Sequence, residues 1–591
     1  NILQGELTFD LIFFSFYKVL YMKFMFKKIY IILFFLILIQ PEVFGRDNKV
    51  IYSRANISNY FLGIISASNY EIDETHKYLK KVEILKKHHS RYNIEFLSNL
   101  ILLEKFDKAL AFSKSIWNKD ELFFEADLLL GLNYFKNKDY QNSEKYFLRL
   151  NKISITNLYF DDFVGNVLIA WSRAAQGKKK KSFDILEKVP KPFHNLKIIQ
   201  KGFLKCYFDM ENTQTFFEKI IQNEEYNFSR YNFFLANYLL FKNKESEAMK
   251  IIKNSRKGNT SNLLLEETEN YLKKGNVKEI KSFFNCKNPN NALAEFFYVL
   301  ANLYSSQEDY RSSNFYFKIS EFLNEDFIPN KALLAENYFY QKKYKLSKNI
   351  YEKIKSIGPA YSWHASKSIS TILLQDKGKE YSIKYLEKDF SFILNPDFEL
   401  YYEMANFYKD NEYYEKSIIY YSSALDKINN DHFLFPKILD RRGTSYERLG
   451  DWENAEKDLI ESLNLKPDDP YVMNYLAYSW IDKGINLDKG LEMLIKANSI
   501  RKDDGYIIDS LGWAYYAKKD YESAEKYLQR AVELLPRDPI INDHYGDNLW
   551  MLKKTIQARY IWNSVLKLDE VEQKLKDEVN KKLIFGITNK L

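Results

Sequence analysis

A spacing of 34 residues recurs along most of this chain, and nothing else in the sequence limits the fold so strongly. The clearest copy holds Ile508, Leu511-Gly512 and Tyr515, followed by Ala524, Leu528, Ala531 and Pro536. Downstream the same slots hold Tyr545-Gly546, Leu549, Ala558, Trp562 and Val565. Upstream they hold Leu476-Ala477, Trp480, Gly490, Leu494 and Ala497, and before those Arg442-Gly443, Tyr446, Ala455, Leu459, Ser462 and Pro467. The phase also appears early, in Leu62-Gly63, Phe96-Leu97 and Leu130-Gly131, with Thr75, Ala109 and Ser143 in the partner slot. In the middle, Leu300-Ala301, Tyr304, Ser313 and Phe317 recur as Leu334-Ala335, Tyr338, Ser347 and Tyr351. Thirteen units can be assigned, and residues 195–222 and 263–284 read as further helix pairs with decayed signatures.

Each slot has a physical reason. A small residue in the first helix and another opening the second let the two axes approach, and large apolar residues one turn away fill the groove. A proline stops the second helix before the next unit. One such pair cannot bury its apolar face alone, so neighbours must stack. The expectation is an all-α chain, a right-handed solenoid of thirteen or more helix pairs over about residues 50–585, with no sheet. Composition agrees: 19 Gly and 12 Pro in 591 residues leave few turns, and 17% aromatic residues exclude a disordered chain.

Several function classes drop out. A net charge of +8 over this length is too dilute to argue for nucleic acid. Two cysteines, Cys206 and Cys286, cannot build a disulfide scaffold or a multi-thiolate metal site, and the sequence leaves open whether they pair. The seven histidines, His544 among them, show no metal-ligand spacing and read as surface or half-buried imidazoles. No phosphate-binding or nucleophile-elbow motif occurs, so no catalytic, metal or cofactor-binding residue is assigned. Gly177-Lys178 through Lys181-Ser182 lacks the upstream glycine of a phosphate loop and reads as a solvated helix start.

The amino terminus reads as an address. Lys23, Lys27 and Lys28 precede an uncharged apolar run of eleven, Ile29 to Ile39, and Pro41 then leads to Val43-Phe44-Gly45. Eleven residues fall short of the ~20 needed to span a bilayer. Residues 22–45 are therefore expected to be a signal peptide, removed to leave Arg46 first in a periplasmic protein. The alternative is an uncleaved segment anchored in the inner membrane, which would give the chain its membrane contact. Residues 1–21, which begin at Asn1, are read as upstream read-through, with the true start codon open.

The units resemble tetratricopeptide repeats over essentially all of residues 56–570. They divide into a divergent array over 46–290 and a second array over 291–585, clearest at 436–570. The stretch from Asn474 through Gly505 and Trp513 to Asp538, Asp547 and Trp550 resembles exported repeat adaptors of the Gram-negative cell envelope. One of that group is an outer-membrane lipoprotein that delivers substrates to a carboxyl-terminal processing protease. This chain lacks a lipidation cysteine beside the expected cleavage point. The resemblance implies a non-enzymatic adaptor for proteins or extended peptides. The alternative is a structural scaffold in envelope assembly or polysaccharide export.

Helix geometry then picks out a candidate groove. Leu511, Gly512 and Tyr515 share the stripe that faces neighbouring helices. Tyr506, Asp509, Trp513 and Tyr516 form a second stripe that pairing does not need. Its counterparts are Tyr471, Asn474, Tyr478 and Ile481 in the preceding unit, and Ile540, Asp543, Asp547 and Trp550 in the following one. The resemblance implies that this stripe lines the concave face. Asn474, Tyr478, Asp509, Trp513, Tyr516, Asp543, Asp547 and Trp550 are therefore the candidate peptide-binding residues. Within these units the stripe contains no Lys or Arg, which disfavours a ligand held by its terminal carboxylate.

Overall fold

A computed structural model of the chain describes residues 53–587 apart from 88, 120, 154–160, 223–227, 257–261 and 570. The two amino-terminal expectations, for residues 1–21 and 22–45, lie outside the described residues. Among those described, 31 α-helices follow one another with no strand. They form fifteen pairs and one unpaired last helix, Gln573–Phe585. The decayed segments are pairs as well: His194–Tyr207 with Thr213–Ile221, and Leu263–Lys273 with Val277–Phe283. The helix Lys179–Leu186 starts at the lysine run, whose side chains are exposed.

The small slots do what their spacing requires. A Cβ added to Gly512 would sit 2.7 Å from the Leu528 side chain, and one on Gly546 would sit 2.5 Å from Trp562. Where serine fills the second-helix slot it also ties the pair together. Ser313 Oγ donates to the Ala301 carbonyl, and Ser347 Oγ to that of Ala335, each at 2.7 Å.

The described residues compact into two units, which divide between Ser391 and Phe392. Residues 290 and 291 both lie inside the first unit. Phe296 packs edge-on against Phe163 with ring centroids 5.3 Å apart. Glu295 accepts two hydrogen bonds from Arg230, both at 2.8 Å.

In the first unit one continuous apolar core runs from Leu79 to Leu373. Its early and late helix pairs also meet side by side. Phe106 stacks on Phe322 at 4.6 Å, and Lys136 Nζ donates to the Phe322 carbonyl at 2.8 Å. Ion pairs join Arg311 to Glu95, Lys318 to Glu104 and Lys343 to Glu71. Cys206 and Cys286, left open by the sequence, form a disulfide with Cα atoms 5.9 Å apart. It ties the His194–Tyr207 helix to the segment just before Pro289–Ser306.

The second unit is built differently. Its core is a series of small clusters, each shared between adjacent repeats: Ala405 to Leu439, Leu459 to Trp480, Ala477 to Ala514, Ile508 to Ile541, and Leu549 to Val579. The last of these includes the unpaired helix through Val579.

Candidate functional site

The first helices of the last three repeats begin alike. Asp469, Asp504 and Asp538 each accept hydrogen bonds from the backbone N–H groups two and three residues on, at 3.0–3.4 Å. Pro470, Gly505 and Pro539 occupy the first helical position. These caps satisfy amide groups the helix cannot. They also give the helices Pro470–Asp482, Gly505–Ala517 and Pro539–Met551 the same start, so equivalent side chains line up from repeat to repeat.

The second stripe then reads as four rows. Tyr471, Tyr506 and Ile540 are 55%, 59% and 52% exposed. Below them stand Asn474, Asp509 and Asp543, then Tyr478, Trp513 and Asp547, then Ile481, Tyr516 and Trp550. Asp509, Asp543 and Asp547 are buried, and Tyr478, Trp513, Tyr516 and Trp550 are half-buried.

What organises the stripe is His544. It was expected at the surface or half-buried, but it is only 7% exposed. Its Nδ1 lies 3.0 and 3.1 Å from the two carboxylate oxygens of Asp509. Its ring stacks on Trp513 at 4.0 Å, and Trp513 stacks in turn on Tyr516 at 4.4 Å. Tyr478 closes the group at 6.4 Å from the imidazole. Burial opposes charging of His544, but Asp509, with Asp543 and Asp547 behind it, outweighs burial and raises its pKa. Burial pushes the Tyr478 hydroxyl up to about 12.

The other half of the stripe belongs to the last helix. Lys582 Nζ donates to Asp543 at 2.7 Å and to Asp547 at 2.8 Å. Trp562 Nε1 donates to Asp547 at 3.0 Å. Burial first, and repulsion from Asp543 second, push Asp547 up to about 6 against the pull of Lys582. Trp550 lies between Trp562, at 5.6 Å, and the Arg559 guanidinium, at 5.0 Å. The backbone of Gly586 covers it, with φ +70°, and a Cβ there would lie 2.0 Å from the indole.

Of the eight candidates, Tyr478, Asp509, Trp513 and Tyr516 thus gather around His544. Asp543 and Asp547 are engaged by Lys582 of the chain's own last helix, and Trp550 by Trp562, Arg559 and Gly586. Asn474 keeps its place in the row, with a buried Oδ1 that has no donor. Two basic side chains, His544 and Lys582, lie outside the stripe's own positions in the three units. Lys582 arrives from another helix, so no signal within the units marked it. His544 did carry a signal, because it stands 35 residues after Asp509, one full repeat on and one position over. Among the described residues no group of three or more His, Cys, Asp or Glu could hold a metal ion.

Known proteins resemble parts of the chain. Family models described as tetratricopeptide repeat match residues 507–538 and 398–426. A TPR repeat-containing protein of Pseudomonas aeruginosa is 29% identical over 154 residues, which are 26% of this chain and 25% of that protein. The chain thus matches about a quarter of that relative's length. Among solved structures, yeast Tom70 is 16% identical, covering 77% of this chain and 94% of its own, with a TM-score of 0.32. A tetratricopeptide repeat protein from Parabacteroides merdae is 17% identical over 38% of this chain and 88% of its own, also with a TM-score of 0.32. Overlays this loose carry no argument about arrangement. Proteins of this kind are generally non-catalytic modules that bind other proteins. The matched repeats, the all-helical pairs and the small-residue slots agree, and the chain is a tetratricopeptide-repeat protein.

Proposed function

We propose that this protein is a non-enzymatic adaptor of the bacterial cell envelope, which captures an extended protein segment on the first-helix stripe of residues 470–565. The observation that supports this best is the ring set Tyr478, His544, Trp513 and Tyr516. It is stacked across repeats and anchored by Asp509, and Tyr478, Trp513 and Tyr516 are left half-exposed on a face that pairing of the helices does not use. Rings already held in place lose little freedom on binding, so their area converts efficiently into affinity. The location is supported by the sequence of residues 22–45 and by the Cys206–Cys286 disulfide, a bond that persists in oxidising compartments. No helix among the described residues is long and apolar enough to cross a membrane.

Affinity capture from the envelope fraction, read by mass spectrometry, tests the adaptor reading. Replacing Trp513 and Tyr516 together by Ala should cost about 2–4 kcal/mol, roughly 30- to 1,000-fold in partner affinity, with helicity nearly unchanged. Full binding by that variant would place the groove elsewhere. Unfolding of the variant would show that these rings are core. Location has its own test: amino-terminal sequencing should find Arg46 first, and an intact Met22 on membrane-bound protein would favour the anchor.

A further inference from the structure

We infer that the segment this stripe accepts is proline-rich and bound as a polyproline II helix. The inference rests on the adaptor reading above and adds the chemistry of the partner.

Hydrogen bonding gives the first reason. The carboxylates of the stripe are already served from within the chain, Asp509 by His544, and Asp543 and Asp547 by Lys582. Its donors are not. Among the described residues the Tyr471, Tyr478 and Tyr516 hydroxyls and the Trp513 and Trp550 indole N–H groups have no hydrogen-bond partner in the chain, and none is a buried orphan. Such a surface suits a ligand that brings carbonyl acceptors and few donors. A polyproline II segment has no internal hydrogen bonds, so all its carbonyls are free, and each proline lacks an N–H. A lysine- or arginine-bearing segment would find the carboxylates taken. Two buried acceptors stay open in the row, Asn474 Oδ1 and Asp543 Oδ1, and neither has exposed surface to offer it.

Spacing gives the second. Equivalent stripe residues recur once per repeat, as in Tyr471, Tyr506 and Ile540, or Tyr478, Trp513 and Asp547. Helices in direct contact lie about 8–10 Å apart. A polyproline II helix advances ~9.3 Å in three residues and completes one turn in doing so, which returns the same face to each repeat. A β-strand covers a similar distance in three residues, but its side chains alternate, so the third residue points the other way. Rings at equivalent places in two successive repeats, Tyr471 with Tyr506 and Tyr478 with Trp513, therefore favour the threefold helix.

The experiment uses the full chain and three ten-residue peptides: deca-proline, a glycine-serine repeat and a lysine-alanine repeat. Binding is followed by Trp fluorescence and calorimetry. Deca-proline should saturate the protein at least tenfold more tightly than either of the others. Tyr478→Phe and Tyr516→Phe remove only hydroxyls, and each should weaken deca-proline by roughly three- to tenfold, with circular dichroism unchanged. Equal affinity for the glycine-serine peptide, or no effect of either hydroxyl removal, overturns the inference. Tighter lysine-alanine binding would overturn it in favour of a cationic segment. The adaptor reading is judged separately. If envelope partners are lost in the Trp513 and Tyr516 alanine variant but carry no proline-rich segment, only the present inference fails. If capture ignores that variant, both fail.

Discussion

The two units put the same helix pair to different uses. In the first, the positions equivalent to Tyr506 and Asp509 are Glu295 and Tyr298, and both are consumed internally. Arg230 forks onto Glu295, bonds Asn330 at 2.8 Å and lies 4.3 Å over the Tyr298 ring. Helix pairs more than 200 residues apart in sequence pack against each other, and one core runs through them all. In the second, repeats touch mainly their neighbours, the core falls into clusters, and the stripe keeps half-exposed rings. Repeat stability is nearly a sum of local terms only while the array stays one-dimensional. Once successive turns pack on each other, the stripe becomes interior and stability becomes collective. The same sequence pattern thus yields a body in one place and an open surface in another.

Core truncation should break the two units in different ways. Phe203 touches Phe234 and Phe284, at 5.1 and 5.3 Å, and is fully buried in the continuous core. Phe203→Ala should cost about 3–5 kcal/mol and lower hydrogen-exchange protection as far away as Ser90–Leu102 and Tyr310–Leu323. Leu528→Ala, beneath Gly512, should cost about 2–5 kcal/mol, but its loss of protection should stay within roughly residues 505–565. Loosening confined to the pairs next to Phe203 would contradict the single-core description.

Reduction of the disulfide comes next in size. Cys206 and Cys286 are 80 residues apart, and closing a loop of that length typically stabilises by about 2–4 kcal/mol. Dithiothreitol should therefore lower the first unit's melting transition by several degrees and leave the second's in place. Equal shifts in both would mean that the units do not melt independently.

Much of this was written in the sequence, and the part that was not has a common cause. The 34-residue phase placed thirteen of the pairs, because close helix packing demands small residues at fixed positions, and the pairs at 195–222 and 263–284 were legible as helix pairs although their signatures have decayed. The second stripe was legible for the same reason: one helix's periodicity sets which residues share a face. Contacts between distant segments were not legible. Glu95 with Arg311 and Glu104 with Lys318 depend on a small rotation per repeat summed over many repeats, which no local pattern encodes. Lys582 reaches Asp543 from a helix outside the phase, and His544 meets Asp509 and Trp513 only across a repeat boundary, so one helix's periodicity marks neither.

The smallest effect distinguishes the units by the sign of a pH slope. In the second unit, the pKa of His544 is raised by Asp509 against its burial. That contribution is complete below the unfolded value of 6.5 and is lost as pH rises through the folded one. Asp547, and Asp440 on the Phe435–Arg448 helix, are both pushed up to about 6, chiefly by burial. Between 3.8 and about 6 the folded state keeps protons that the unfolded chain has shed, so these groups also make stability fall as pH rises. All three act in the same direction. In the first unit the shifts oppose each other: His364 and His76 are lowered by burial, while Glu336, Glu267 and Glu295 are raised by it. Burial lowers His364 to about 4, so stability rises with pH from there to 6.5. Burial raises Glu336 to about 7, so stability falls between 4.5 and about 7. The Glu336 side chain is 45% exposed, and water screens its share. From pH 4.5 to 7.5 the second unit's transition should therefore drop by on the order of 1 kcal/mol, about 2–4 °C. The first unit's should hold or rise slightly. His544→Gln should remove part of the second unit's slope and leave the first unchanged. Parallel slopes in the two units, or a slope in the second that survives His544→Gln intact, would show that the buried imidazole does not set it.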